Sequence, residues 1–262
     1  MSYQQLGAQV LQASTRVGDL LYTSLEFSAG TQAVRGGIPV LFPQFADRGP
    51  LKKHGFARDM PWQLVEQGAY ADGHRLVCEL HIHSGDQPNW LHSAQLVLTA
   101  QLTPNALHMH LQVRNTGSTT FAWTGGLHPY WATADLCASQ LLGLQGAAVQ
   151  DRYNPHKTTQ TEAAASWHGD EFECLYDTQA PLQLQTPTHT LQLSMTGFDQ
   201  WMVWNPCKAG AQALKDLPND DWQRFVCIEP VRVSRPSVLQ PGEGFEGGLR
   251  VEVQANSTAA FN

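Results

Sequence analysis

A histidine and a glutamate stand out as side chains that could move protons. His128 lies in the segment "TGGLHPYWATADL", where a glycine pair precedes it and aromatic residues follow. Glu229 lies inside the apolar run "FVCIEP", where a carboxylate is unexpected. A buried carboxylate needs a partner or takes a raised pKa, and such groups are enriched at functional sites. Histidine has a free pKa of about 6.5, so it can act as an acid or a base near neutral pH.

Each of these residues also has a purely structural interpretation. His128 could be a hydrogen-bonded histidine of the core, since buried histidine is not rare. Glu229 could point outward from a half-exposed strand. Cys227, two residues before Glu229, is interpreted as a small buried apolar residue and not as a nucleophile. The sequence contains no G-x-S-x-G pattern, which argues against an acyl hydrolase.

A basic segment, "LKKHGFARDMPW" at residues 51–62, interrupts an otherwise acidic chain. Four of its residues carry or can carry a positive charge: Lys52, Lys53, His54 and Arg58. Arg35 stands at the start of a second unusual segment, "RGGIPVLFPQF". Guanidinium groups form bidentate, charge-assisted bonds to phosphate, so Arg35 and Arg58 are candidate anion-binding residues. The alternatives are a solvated basic loop and a surface arginine at a sheet corner.

Two further groups of polar residues have weaker interpretations. Asp199, in "GFDQW", is either a third polar group of a site or an aspartate that forms a turn. His81 and His83 occupy alternate positions of an extended run, with His92 nearby, and could share a face. No cysteine or compact set of carboxylates completes a zinc site there, so we predict no metal.

The composition excludes several classes of protein. The chain has 262 residues, of which 42% are hydrophobic and 15% charged, and its formal net charge is -7. An acidic chain of this kind is not expected to bind nucleic acid. Its first residues lack a signal pattern, and no apolar run approaches the roughly 20 residues of a membrane span. Five scattered cysteines without a C-x-x-C pair favour reduced thiols, and we expect a cytoplasmic protein that acts as a monomer.

An alternation of apolar and polar residues dominates the chain and predicts half-buried strands. It is clearest in five stretches: residues 74–83, 94–115, 182–186, 191–195 and 249–255. The "TPNA" segment at 103–106 is typical of a hairpin turn. We predict at most a short helical turn within 210–222, which Pro218 interrupts, and an irregular surface loop over 151–175. These features predict an all-β fold: one large antiparallel β-sandwich domain over residues 1–262.

Several segments and their order resemble one known family. "RGGIPVLFPQF", "HGFAR", "LHPYW", "LKDLPNDDW" and "VCIEP" are similar to segments of the hexose-6-phosphate mutarotases, also called glucose-6-phosphate 1-epimerases, of the aldose 1-epimerase superfamily. The similarity extends from about Arg35 to Pro230. It implies a galactose-mutarotase-type β-sandwich that acts on a phosphorylated sugar without a metal or an organic cofactor.

The resemblance also implies roles for individual residues. His128 and Glu229 correspond to the catalytic pair: Glu229 would take the C1 hydroxyl proton, and protonated His128 would donate to the ring oxygen. Arg35 and Arg58 correspond to positions associated with the substrate and its phosphate, with Lys52 or Lys53 as further candidates. His54 and Asp199 correspond to positions that hold sugar hydroxyls. Cys207 and the short stretch before Arg35 depart from the pattern and leave the sugar preference open.

Two rival functions remain open at this stage. A non-catalytic sugar-binding module would share the sandwich, the aromatic residues and the arginines, but it would not need His128 and Glu229 across one sugar. A phosphosugar hydrolase or isomerase is the rival enzyme, because glycoside hydrolysis normally uses two carboxylates and Asp199 could partner Glu229. The relative positions of His128, Asp199 and Glu229 discriminate between these possibilities.

Overall fold

The computed structural model describes residues 1–26, 34–70 and 72–256, and strands dominate it. The strands are β1 Ser2–Gln4, β2 Gln9–Gln12, β3 Ser14–Thr15, β4 Gly18–Asp19, β5 Val40–Leu41, β6 Gln63–Tyr70, β7 Gly73–Ile82, β8 Ala94–Leu102, β9 Ala106–Asn115, β10 Phe121–Leu127, β11 Tyr130–Ala132, β12 Gln140–Leu142, β13 Ala148–Asp151, β14 Ala164–Ser166, β15 Phe172–Asp177, β16 Leu182–Gln185, β17 His189–Thr196, β18 Gln200–Asn205, β19 Phe225–Leu239 and β20 Gly244–Ala255. The helical elements are α1 Cys207–Gln212 and two 3-10 turns, Ala57–Asp59 and Asp221–Arg224.

A nine-stranded antiparallel sheet forms one layer, in the order β14-β12-β16-β17-β20-β9-β8-β7-β6. Its strands follow the alternation of the sequence: in β8 every second residue from Ala94 to Leu102 is buried, and those between are at least partly exposed. One face therefore packs on the core and the other meets water, as a period of two requires. β8 ends at Leu102 and β9 begins at Ala106, so the predicted hairpin is confirmed.

A seven-stranded sheet forms the second layer, in the order β13-β15-β18-β19-β10-β5, with β11 also paired to β19. Here seven consecutive residues of β19, Phe225–Val231, are buried, which means that both faces of the strand are covered. On one side the large core joins the two sheets; Val203 and Ile228 belong to it together with Leu96 of β8. A second apolar cluster, which includes Phe45, Met202 and Val231, lies on the other side.

The two layers make an all-β antiparallel sandwich, and the predicted fold class is confirmed. The loop predicted over residues 151–175 is wrong in its second half, which contains β14 and the start of β15. Charged residues at positions 170, 171 and 173 concealed the strand pattern there. The short helix lies at 207–212 and ends well before Pro218, so Pro218 does not interrupt it. No helix within the described ranges is long and apolar enough to cross a membrane.

Candidate active site

One face of the seven-stranded sheet forms the floor of a cavity. Residues directly opposite each other on antiparallel strands point to the same face, and the register carries one such row across four strands. That row consists of Glu173, Trp204, Cys227 and Tyr130. Met202 and Glu229 form the next pair on the same face, since each lies two residues along its strand from a member of the row. Five of these six side chains line the cavity; the Cys227 thiol is fully covered.

The backbone before His128 brings this residue against β19. Gly126 pairs with Val231, and a Cβ atom on Gly126 would lie 2.2 Å from the carbonyl oxygen of Pro230, so only glycine permits this approach. Its φ of 155° is also one that side chains with a Cβ rarely adopt. Two residues later, the His128 N–H donates to the carbonyl of Pro39 at 2.9 Å.

His128 and Glu229 are neighbours in this cavity although 101 positions separate them. The Nε2 atom of His128 lies 3.4 Å from Oε1 of Glu229, and both side chains are buried. The His128 ring stacks on Tyr130, with 4.9 Å between ring centroids and 13° between planes. Two buried ionisable side chains are thus in contact, and the ring of Tyr130 covers one side of the histidine.

The basic segment covers part of the same floor. The N–H groups of Phe56 and Ala57 donate to the carbonyl of Phe42, which fixes the segment beside β5. His54 has a left-handed backbone, with φ of 66°, and its Nδ1 accepts a hydrogen bond from the N–H of Ala46 at 3.2 Å. A neutral His54 therefore carries its proton on Nε2, where it can serve as a donor. Its ring centroid lies 5.5 Å from that of His128.

Arg35 and Arg58 both line the cavity, together with Lys53. Nε of Arg35 donates to Oδ1 of Asp216 at 2.8 Å, which holds the guanidinium in place. Nη2 of Arg58 donates to the backbone carbonyl of Lys53 at 3.3 Å. Its buried Nε has no hydrogen-bond partner among the described residues. Lys52 is exposed and pairs with Asp59 at 2.6 Å, so of the two candidate lysines Lys53 is the one that faces the cavity.

Asp199, which the sequence assigned to the substrate site, is not among the described residues that line the cavity. Its Oδ2 accepts a hydrogen bond from Nε of Arg235 at 2.8 Å and lies 3.5 Å from an Arg232 nitrogen. Arg235 in turn contacts Asp177. Asp199 is thus a member of an ion-pair network at the start of β18, in which one of its carboxylate oxygens contacts two arginines.

Three residues that the sequence did not single out contribute to the site. Glu173 and Arg152 line the cavity and pair with each other, with 3.0 Å between Arg152 Nη1 and Glu173 Oε2. Both fall in the stretch predicted to be a loop, and a single carboxylate within the apolar run "FECLY" was the signal that could have found Glu173. We call the three basic residues that line the cavity, Arg35, Lys53 and Arg58, the basic wall. Asp216, which orients Arg35, belongs to the quoted "LKDLPNDDW" segment, so a motif without an assigned role supports this wall.

Burial determines the proton affinities of the catalytic candidates. It raises the pKa of Glu229 well above its usual range; the negative charge of Glu173 adds to this, and Arg58 opposes it. It lowers the pKa of His128 well below its usual range, and the charges of His54, Arg58 and Arg35 act in the same direction. Burial, followed by the charges of Arg58, Lys53 and Arg35, also lowers the pKa of His54 to about 3. The free site therefore favours a protonated Glu229 and neutral histidines.

The sequence and the fold that form this cavity are similar to those of known proteins. Residues 1–252 match a family model described as aldose 1-epimerase. The chain belongs to the aldose 1-epimerase family. This confirms the resemblance seen in the sequence.

Relatives of this aldose 1-epimerase family member carry a more specific name. A protein from Cenchrus ciliaris named "Putative glucose-6-phosphate 1-epimerase" is 27% identical over 243 residues, which cover 86% of this chain and 72% of that protein. A protein of the same name from Escherichia coli K12 is 27% identical over 213 residues, which cover 77% of this chain and 68% of that protein.

Solved structures share the fold of this family member. A structure from Salmonella typhimurium titled "putative mutarotase (YeaD)" superposes with a TM-score of 0.85 at 23% identity, over 97% of this chain and 86% of that one. A galactose mutarotase-like protein from Lactobacillus casei superposes with a TM-score of 0.71 at 16% identity, over 96% of each chain. At these identities the likeness establishes the fold, a galactose mutarotase-like β-sandwich.

Proposed function

We propose that this member of the aldose 1-epimerase family interconverts the α and β anomers of a hexose 6-phosphate, with glucose 6-phosphate as the first substrate to test. The observation that carries the proposal is one cavity with His128 and Glu229 in contact on its floor and Arg35 and Arg58 on its wall. The names of the relatives support the same substrate.

The floor supplies the groups that mutarotation needs. The reaction opens a cyclic hemiacetal, so the C1 hydroxyl loses a proton while the ring oxygen gains one. In the ionised pair, Glu229 accepts the C1 hydroxyl proton and protonated His128 donates to the ring oxygen. Rotation about the C1–C2 bond and the reverse transfers then close the ring on the other face. Positioned acid–base groups typically supply a rate factor of about 10² to 10⁴, without a metal or a covalent intermediate.

The protonation preferences of the free site match the open-chain sugar. After ring opening, Glu229 carries the proton and His128 is neutral, which is the form that burial favours for both side chains. The environment of the pair thus stabilises the ring-opened state relative to the cyclic one. The costly step is the one before it, in which the neutral pair of the free site takes up its ionised form beside the cyclic sugar.

The basic wall anchors the substrate and also prepares the pair. Arg58 lines the cavity, and Asp216 holds Arg35 there, so both guanidinium groups can meet a phosphate. In the free site Arg35 and Arg58 lower the pKa of His128. A bound phosphate offsets these positive charges, which raises the proton affinity of His128 and favours the ionised pair that attacks the cyclic sugar.

The proposal includes three further expectations. The activity should need no metal or organic cofactor, because the acid and the base suffice for the chemistry. The protein should act as a monomer, and it should reside in the cytoplasm. Each of these stays a prediction.

Exchange of pure α-glucose 6-phosphate into its β anomer tests the function. Polarimetry and NMR exchange, with EDTA present, should show a rate well above that of the buffer alone, and a much smaller acceleration with free glucose. Binding of the sugar phosphate without faster exchange would identify a binding module. Release of inorganic phosphate or a cleaved product would identify a hydrolase. Activity that is lost with EDTA and restored by zinc would contradict the metal-independent mechanism.

A further inference from the structure

We propose that His128, Cys227 and Glu229 form a binding site for a divalent transition metal ion such as Zn²⁺, and that the bound ion blocks the active site. A ring nitrogen of His128, the Sγ of Cys227 and a carboxylate oxygen of Glu229 all lie within 4.8 Å of one another. Among residues 1–26, 34–70 and 72–256, this is the one group of three or more potential metal-binding side chains that comes so close together.

The positions of the three donors follow from the sheet. Cys227 and Glu229 are two residues apart on β19 and point to the same face, and His128 approaches that face from the turn before β11. Imidazole nitrogen, thiolate sulfur and carboxylate oxygen are the three ligand types that zinc takes in proteins. The set therefore differs from the exposed histidines of residues 81–92, where His81 contacts Glu79 and His92 contacts Thr119.

The spacing suits a tetrahedral ion. Zinc–nitrogen and zinc–oxygen bonds of about 2.1 Å place two ligands at tetrahedral positions roughly 3.4 Å apart. The distance between His128 Nε2 and Glu229 Oε1 is 3.4 Å, too long for a strong hydrogen bond and equal to that tetrahedral edge. A zinc–sulfur bond of about 2.3 Å places Sγ roughly 3.6 Å from the other two ligand atoms. The Sγ of Cys227 lies within 4.8 Å of them, so it has to approach by about 1.2 Å at most. The other carboxylate oxygen of Glu229 is buried and has no hydrogen-bond partner in the described part of the chain, so no such bond has to be broken there.

The positive charges of Arg35 and Arg58 do not exclude a cation here. Zinc binds the deprotonated forms of cysteine and glutamate, so binding releases protons from the site. Exchange of two protons for one divalent ion leaves the net charge of the three side chains unchanged, and the repulsion from the two arginines is the same before and after. Three protein ligands leave a fourth tetrahedral position for water or an anion on the side of the cavity.

Occupation of the site by zinc would remove both catalytic groups. A carboxylate bound to the ion is a weaker base, so Glu229 loses its ability to take the C1 hydroxyl proton, and a metal-bound His128 cannot carry one to the ring oxygen. Inhibition of anomer exchange rests on the proposed function, whereas metal binding rests on the geometry alone. Zinc should act as an inhibitor competitive with the sugar phosphate, relieved by EDTA.

Direct metal binding to the intact protein tests the site without substrate. Calorimetric titration with Zn²⁺ should give one site per chain, and Co²⁺ should produce the near-ultraviolet charge-transfer absorption of a thiolate ligand. Cys227→Ser should abolish that absorption and weaken zinc binding by more than the roughly 10- to 100-fold that loss of an outer ligand contact costs. Cys227→Ala provides a second variant in case the serine variant does not fold. The matched control, His81→Asn, should leave both signals unchanged.

The outcomes separate this proposal from the catalytic one. Absence of a saturable site, or a thiolate absorption that persists in both Cys227 variants, would overturn the metal site whatever the enzyme does. If zinc binds through Cys227 but anomer exchange proceeds at its normal rate, the blocking role is wrong. If exchange is inhibited in the wild type and more zinc is needed to halve the rate of Cys227→Ser, measured against that variant's own metal-free rate, the proposal is supported.

Discussion

The two sheets of the sandwich differ in how far their sequence periodicity predicts their structure. In the nine-stranded sheet, β8 and β9 alternate buried and more exposed residues from end to end, and the outer face is polar. In the seven-stranded sheet, β18 and the first half of β19 are buried on both faces. On one of these faces, residues from the segment after β5 line the candidate active site: Phe45, Ala46, Lys53, His54 and Arg58.

This difference explains where ionisable groups can acquire unusual proton affinities. On the outer face of the nine-stranded sheet, Arg250 and Glu252 contact each other in water, and exposed pairs of this kind are worth little. On the covered face of the seven-stranded sheet, Glu229 and His128 lose their hydration and shift toward their neutral forms. The same strand geometry thus gives ordinary surface charges on the nine-stranded sheet, where one face is exposed to solvent. On the seven-stranded sheet, where both faces are covered, it gives a buried ionisable pair.

Replacement of Glu229 by glutamine is expected to have the largest effect. Glutamine keeps the shape but cannot accept a proton, so anomer exchange should fall by about 10² to 10⁴. Glu252→Gln, the matched change on the nine-stranded sheet, should leave the rate unaltered. Near-normal turnover of Glu229→Gln would contradict the role of Glu229 as the base and the functional difference between the two sheets.

The same variant, which should lose activity, is expected to gain stability. Because the pKa of Glu229 is raised in the folded protein, ionisation opposes folding once the pH exceeds the unfolded value of about 4.5. Glutamine does not ionise, so Glu229→Gln should be at least as stable as the wild type at neutral pH, with a relative gain that grows from pH 5 to pH 8. Thermal unfolding of both proteins across this range measures it. A relative loss as the pH rises would mean that Glu229 is held as a stabilised carboxylate.

Removal of the Arg58 guanidinium should have the next largest effect. Hydrogen bonds to charged groups contribute roughly 1.5–3 kcal/mol each, so Arg58→Ala should lower kcat/KM for glucose 6-phosphate by about ten- to a hundredfold. The value for free glucose should change little, and sulfate should compete less well than in the wild type. Arg250→Ala on the nine-stranded sheet is the control. An unchanged ratio between the two sugars would show that Arg58 does not recognise the phosphate.

Asp216→Asn should produce a smaller loss, because Asp216 acts through Arg35. The Arg35–Asp216 pair is partly exposed, and such pairs contribute up to about 1 kcal/mol, which corresponds to about a two- to fivefold effect. The loss should appear mainly in KM for the phosphorylated sugar, with kcat retained. A loss confined to kcat would place Asp216 in a different role.

Titration of His128 with an anion present tests the coupling between the wall and the floor. Sulfate bound at Arg35 and Arg58 should offset their charge and raise the pKa of His128. NMR of the histidine ring signals, with and without sulfate, measures this shift. The shift should disappear in Arg58→Ala, and a His128 signal that is insensitive to sulfate in the wild type would contradict the coupling.

The sequence by itself determined most of the nine-stranded sheet. Strands over residues 74–83, 94–115 and 191–195 were predictable because each buries one face, and a half-buried strand alternates apolar and polar residues. His128 and Glu229 were recognisable as candidates for the same kind of reason, since a histidine beside aromatics and a carboxylate in an apolar run both depart from the local pattern. The ordered motifs then identified the family.

Only the tertiary structure decided which of these residues meet. The 3.4 Å contact between His128 and Glu229 depends on the close approach at Gly126, and the pairing of Arg35 with Asp216 joins positions 181 residues apart. The pairing of Asp199 with Arg235 is likewise tertiary, and Glu173 joins the cavity floor because of the register between β15 and β18. Local periodicity records which face of an element is buried, whereas the partners of a buried charge are set by long-range packing that no single segment encodes.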